Sequence, residues 1–135
     1  MKRVILFSGL ILSAVAGVFA QQQPSKPASG PVLTLKQTTH DFGDIRQGDV
    51  VEHVFEFTNT GNEPLIIQDI RITCGCTQPK WPKEPIMPGG KGEIRVGFNS
   101  AGKMGIQTKS LPIISNAIND PVITFTTNVL PKNPQ

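Results

Sequence analysis

The chain has no tyrosine, a single tryptophan and only two cysteines. Without tyrosine, the hydrogen-bonded corner of antibody-type sandwiches cannot form. The cysteines, Cys74 and Cys76, are separated only by Gly75, too close to bridge two sheets. No second cysteine pair exists to complete a four-ligand zinc site. Beyond the N-terminus there is no amphipathic helical pattern, because Gly and Pro interrupt too often. No basic stripe is interleaved with aromatics, which sets nucleic acid aside as a partner. G-x-S-x-G, H-E-x-x-H and Walker loops are all missing, and no enzymatic activity and no cofactor are expected. Repeats, sustained charge blocks and N-x-Ser/Thr acceptor sites are absent as well.

What is present begins with a leader. Lys2 and Arg3 precede an uncharged apolar run from Val4 to Phe19, and Val18 and Ala20 are small residues at the offsets for cleavage before Gln21. This is the pattern of a secretory signal peptide over 1–20. The run approaches membrane-spanning length, but Gly9, Gly17 and two serines dilute it. Cleavage lowers the formal charge from +3 to +1, leaving no electrostatic claim on anionic lipid or nucleic acid. No later segment is apolar enough to span a membrane. Residues 21–31, QQQPSKPASGP, read as a linker. The rest, 32–135, is one domain with a short C-terminal tail. A periplasmic or extracellular location is expected, and the oligomeric state is left open.

The domain reads as short strands separated by turns. VLTLKQT (32–38) opens it. VVEHVFEFTNT (50–60) alternates, with Val51, His53, Phe55 and Phe57 on one face and Glu52 and Glu56 on the other. LIIQDIRIT (65–73) follows a turn, and Ile66, Ile70 and Ile72 share one parity. EIRVGFN (93–99) turns Ile94, Val96 and Phe98 inward. IQTKSLPIIS (106–115) reads as an edge strand, since Pro112 cannot donate to a ladder. VITFTTNVL (122–130) closes the domain. This is the pattern of an all-β, immunoglobulin-like antiparallel β-sandwich of about seven strands. Pro79, Pro82, Pro85 and Pro88 recur every three residues, the period of polyproline II. The loop 79–88 is then either a ligand for an aromatic groove or a stiff connection between the two sheets. Trp81 and Ile86 are expected to pin it, and Pro88-Gly89-Gly90 to turn it into the next strand.

The run HDFGDIRQGDVVEHVFEFTNTGNEPLIIQDIRITCGCT, then PGGKGEIRVGF and GKMGIQTKSLPIISNA, resembles a family of secreted bacterial domains of unknown function with an immunoglobulin-like fold and a C-G-C-T signature. Hydin-type and major-sperm-protein-like domains are distant relatives of it. The resemblance covers residues 34–130. Its matching positions are His40, Phe42, Gly43, Asn59, Gly61, Cys74, Gly75, Cys76, Thr77, Pro88, Gly89 and Gly105. It implies a fold and a secreted location, and brings no established activity. Gly43 and Gly61 suit positive-φ turns, and Asn59 suits a strand end where it bonds its own backbone.

Four readings of Cys74 and Cys76 stay open. An oxidising compartment favours a disulfide. In a straight strand their Cα atoms would lie ~6.6 Å apart, near the long limit for one, and a kink at Gly75 would shorten this. So short a loop contributes only ~1.6 kcal/mol, so the bridge would lock a turn rather than staple the fold. A metal clip for copper or zinc is the second reading, with Cys74, Cys76 and His40 as ligands and His53, Met87 and Met104 as further candidates. A redox pair is the third and two packed thiols the fourth. His40 is expected in a turn beside Asp41, and His53 in the core. Asp41 and Asp44 bracket Gly43 and look like turn chemistry. The expected role is binding of a protein partner, or assembly, through an exposed edge such as 106–115. Copper or thiol-redox handling through the cysteine pair is the alternative.

Overall fold

The structure is a computed structural model that describes residue 9 and residues 29–133. Apart from residue 9, the leader over 1–20 lies outside the described residues, as does the linker up to residue 28. Eight strands form: β1 (Leu33–Leu35), β2 (Thr39–Arg46), β3 (Val50–Asn59), β4 (Ile67–Ile70), β5 (Thr77–Lys80), β6 (Lys91–Asn99), β7 (Gly105–Ser115) and β8 (Val122–Leu130). They make two four-stranded sheets, ordered β1-β3-β6-β5 and β2-β8-β7-β4. The expected all-β sandwich is therefore present. One pairing departs from the antiparallel expectation: β2 runs parallel to β8.

Alternation builds the core. Phe55 and Phe57 of β3, Ile94, Val96 and Phe98 of β6, and Ile123, Phe125 and Val129 of β8 are all buried. Phe98 meets Phe125 across the sheets with ring centroids 5.3 Å apart. The parity expected for 65–73 fails. Ile67 and Ile70 are buried, whereas Ile66 and Ile72 are 40% and 45% exposed. The reason is a register irregularity between Ile67 and Asp69, which breaks the two-residue period.

Strands β2 and β5 were not expected. In β2 the sequence DFGD is a bulge rather than a free turn. Gly43 takes φ +71, its N–H bonds the Asp41 carboxylate at 2.8 Å, and the register shifts between Asp41 and Asp44. His40 thus lies in a strand, opposite Phe125, and not in a turn. Strand β5 contains Pro79, allowed because β5 is an outer strand. The proline-rich segment joins β5 to β6 within one sheet, so it does not cross between sheets. Ile86 pins it, exchanging backbone bonds of 2.8 Å with Leu65. Pro88-Gly89 then forms a type II turn, with Gly89 at φ +78 and Gly90 N–H on Met87 O at 2.8 Å.

The end of the sandwich near this turn is organised by Asn59, which has no exposed surface. Its side-chain N–H groups donate to Glu63 O (2.7 Å) and Ile86 O (2.9 Å). Its side-chain oxygen accepts from Gly61 N–H (3.0 Å) and Val32 N–H (3.3 Å). Its backbone carbonyl accepts from Gly89 N–H at 2.7 Å. Gly61 does not take the positive φ expected of it. It is needed for close approach, because a Cβ there would strike Gly30 O and lie 2.6 Å from Val32 N. Ser29–Pro31 is correspondingly fixed, with Gly30 N–H on Asn62 Oδ1 at 2.8 Å. Replacing Asn59 with Ala strands several buried backbone groups. Asn59→Ala is expected to lower unfolding free energy by about 3 kcal/mol in urea titrations.

Candidate functional site at the crossover and the open edge

Residues 71–76 carry the chain from one sheet to the other. Arg71 N–H makes the last bond to β7, on Pro112 O at 3.0 Å. Thr77 then enters the other sheet opposite Phe98. Within this crossover the structure joins Cys74 and Cys76 as a disulfide, with Cα atoms 5.3 Å apart. The chain is tied down on both sides of the bond. Thr77 N–H reaches Cys74 O at 3.4 Å, and Asn99 N–H reaches Cys76 O at 2.8 Å. Thr77 itself is buried, and its hydroxyl lies 3.9 Å from each sulfur. Cys76 packs against the hydrophobic core, while a Cβ built on Gly75 would meet nothing within 4 Å among the described residues.

The crossover also leaves an edge open. Strand β4 pairs with β7 only at Ile113–Ser115. On the same side, residues 105–111 of β7 have no backbone partner among the described residues. The expectation of an edge strand over 106–115 thus holds for its first half, while its second half lies between β8 and β4. Ile113 N–H bonds Pro121 O, across to the β8 side. By antiparallel alternation the N–H and C=O groups of Ile106, Thr108 and Ser110 then point to the open side. Pro112 falls in the same series, so its missing N–H costs the β7–β8 ladder nothing. The outer side chains here are short: Thr108 and Ser110 hydroxyls sit 3.4 Å and 3.3 Å from those of Thr126 and Thr124. Ile72 in the crossover and Met104 and Ile106 at the start of β7 are 45%, 55% and 68% exposed.

The structure does not bring His40 to the cysteines. Strand β2 and strand β4 are the opposite borders of one sheet, about 14 Å apart by strand spacing. No group of three or more His, Cys, Asp or Glu side chains among the described residues is placed to hold a metal ion. Met87 is exposed on the loop beyond β5 and Met104 on the loop before β7. His40 instead stacks on His53, with centroids 3.5 Å apart and planes 8° from parallel. The pair closes the seam between β2 of one sheet and β3 of the other, flanked by Phe42 and Phe55. No sequence signal linked these residues, because they sit on different sheets.

His53 Nε2 is buried and has no hydrogen-bond partner among the described residues. Burial holds its pKa below the ordinary 6.5, and the nearby charge of His40 pushes it the same way. The unfolded chain therefore binds this proton more readily than the folded one. The stability that neutral His53 contributes is present above pH 6.5 and is lost as pH falls through the lower folded value. Melting temperature should fall between about pH 7.5 and about pH 5, and His53→Gln should flatten that dependence.

Residues 33–129 match the family model described as "Protein of unknown function (DUF1573)". No curated protein matches the sequence. Among solved structures, a protein of unknown function from Porphyromonas gingivalis W83 is 20% identical with TM-score 0.64, over 76% of this chain and 49% of that one. The ASH/PapD-like domain 7 of human CEP192 is 8% identical with TM-score 0.64, over 97% of this chain and 100% of the domain. The Vibrio cholerae VesB protease is 13% identical with TM-score 0.60, over 71% of this chain and 31% of the protease. The chain spans about half the length of the Porphyromonas protein and under a third of the protease. At these identities the likeness is one of fold: an immunoglobulin-like sandwich of the PapD-like type.

Proposed function

We infer that this chain, which belongs to the DUF1573 family of proteins of unknown function, is a non-catalytic recognition domain that binds a protein partner by strand addition. The observation that carries this reading is the run of N–H and C=O groups on Ile106, Thr108 and Ser110 that have no backbone partner among the described residues. Such a row is satisfied by the backbone of another extended chain. The N-terminal leader pattern supports a partner met outside the cytoplasm.

Charge selects the partner. Lys109 lies at an inward parity yet is only half-buried, since β4 has left the sheet there. A second copy of β7 pairing about this edge brings two Lys109 side chains into cross-strand reach, and like charges there are destabilising. Inward-pointing charge is a common guard against self-pairing. The fitting partner is an extended segment with Asp or Glu opposite Lys109 and apolar side chains toward Ile72 and Ile106.

Extended peptides selected from a random displayed library against the folded protein should carry an acidic residue at one fixed position. They should slow hydrogen exchange at the Ile106, Thr108 and Ser110 amides. Thr108→Pro removes an N–H on the open side only, and should abolish capture while leaving the melting temperature within a few degrees. Lys109→Glu should switch the selected residue from acidic to basic. Peptides that protect a different surface, or survive Thr108→Pro unchanged, would rule the edge out.

A further inference from the structure

We propose that Cys74–Cys76 is a thiol–disulfide exchange site, with Cys74 the sulfur that a partner's thiolate attacks and Cys76 the leaving sulfur. Three observations carry this. First, the bond does little for the fold. The crossover is already held by the Arg71, Thr77 and Asn99 amides, and a ring closed over one intervening residue removes little chain entropy. Second, the two sulfurs differ. Both cysteines are half-buried, and of the two only Cys76 is packed against the core. Third, the buried Thr77 hydroxyl reaches both sulfurs at 3.9 Å and has no other side-chain partner among the described residues. A disulfide sulfur is a poor acceptor. A thiolate is a strong one, so the hydroxyl favours the leaving state over the bonded one.

The partner is a protein dithiol. Its first thiolate attacks Cys74 Sγ, forming an intermolecular disulfide and breaking the Cys74–Cys76 bond, and Cys76 leaves as a thiolate. The partner's second thiolate then attacks its own bonded sulfur and releases Cys74. The partner has lost two electrons and become a disulfide. The two electrons and, from water, the protons reside on Cys74 and Cys76 as thiols. The reverse sequence oxidises the pair. Ile72, two residues before Cys74 and 45% exposed, offers apolar contact to a protein rather than to a small thiol.

The test uses dithiothreitol and glutathione on the full folded chain. Intact mass after alkylation should show the wild-type bond reduced under native conditions, with the circular dichroism spectrum and hydrogen-exchange protection of β5 and β6 retained. With glutathione disulfide, Cys76→Ala should form a mixed disulfide through Cys74 at least tenfold faster than Cys74→Ala does through Cys76. Thr77→Val should move the alkylation pH profile of Cys76 upward, and Thr77→Ser should restore it. A wild-type bond that yields only in denaturant overturns the proposal and needs no variant. So does equal reactivity of the two single cysteines. Thr108→Pro should leave exchange rates unchanged, so failure here and failure of strand addition are separate results.

Discussion

Asn59 stands where three segments of chain must meet with their polar groups out of water. It ends β3, and its side chain makes four hydrogen bonds, to Val32, Gly61, Glu63 and Ile86. A buried amide with every bond made is worth far more than its average share, since each lost bond would leave a stranded donor or acceptor. The arrangement fixes the start of β1, the turn into β4 and the proline-rich connection at once. Two more asparagines act in the same way nearby. Asn119 bonds both the N–H and the C=O of Leu33, like a neighbouring strand. Asn116 holds Ile66 N–H and Pro64 O. One end of the sandwich is therefore sealed by side-chain amides where no strand is available.

The other end is closed by Ser100, whose buried hydroxyl bonds Arg46 O and Asp49 O, but the β7 border beside it is left open, and the reason lies in β4. Held at Leu65 by Ile86 and released at Arg71, the chain has room for only a short strand before it must cross to the second sheet. The crossover takes away the partner that the first half of β7 would otherwise have. The open edge and the cysteine pair thus share one cause. Both lie where an early departure from one sheet places exposed backbone, exposed apolar side chains and a disulfide at the same end.

Much of this was legible in the residues. Phe55, Phe57, Ile94, Val96 and Phe98 alternate in sequence and are buried together, because a two-residue period is a local property of extended chain. Strand β2 was hidden by Gly43 and its flanking aspartates, which read as a turn but form a bulge inside a ladder. Strand β5 was hidden by Pro79, which reads as a loop until its outer position in the sheet is known. The parity of 65–73 misled because the register shift at Ile67–Asp69 is imposed by pairing with β7, not by local preference.

By itself the sequence determined the class of fold, the core residues of the long strands and the closeness of the two cysteines. These follow from periodicity and covalent connectivity, which need no partner strand to be stated. Only the tertiary structure decided that β2 runs parallel to β8, that His40 stacks on His53, and that Thr77 lies against both sulfurs. It also decided that β7 is an edge for only half its length. The pairings and the histidine stack depend on which strands lie side by side, a matter of packing between residues distant in the chain, while the Thr77 contact follows from the path the chain takes in crossing between the sheets.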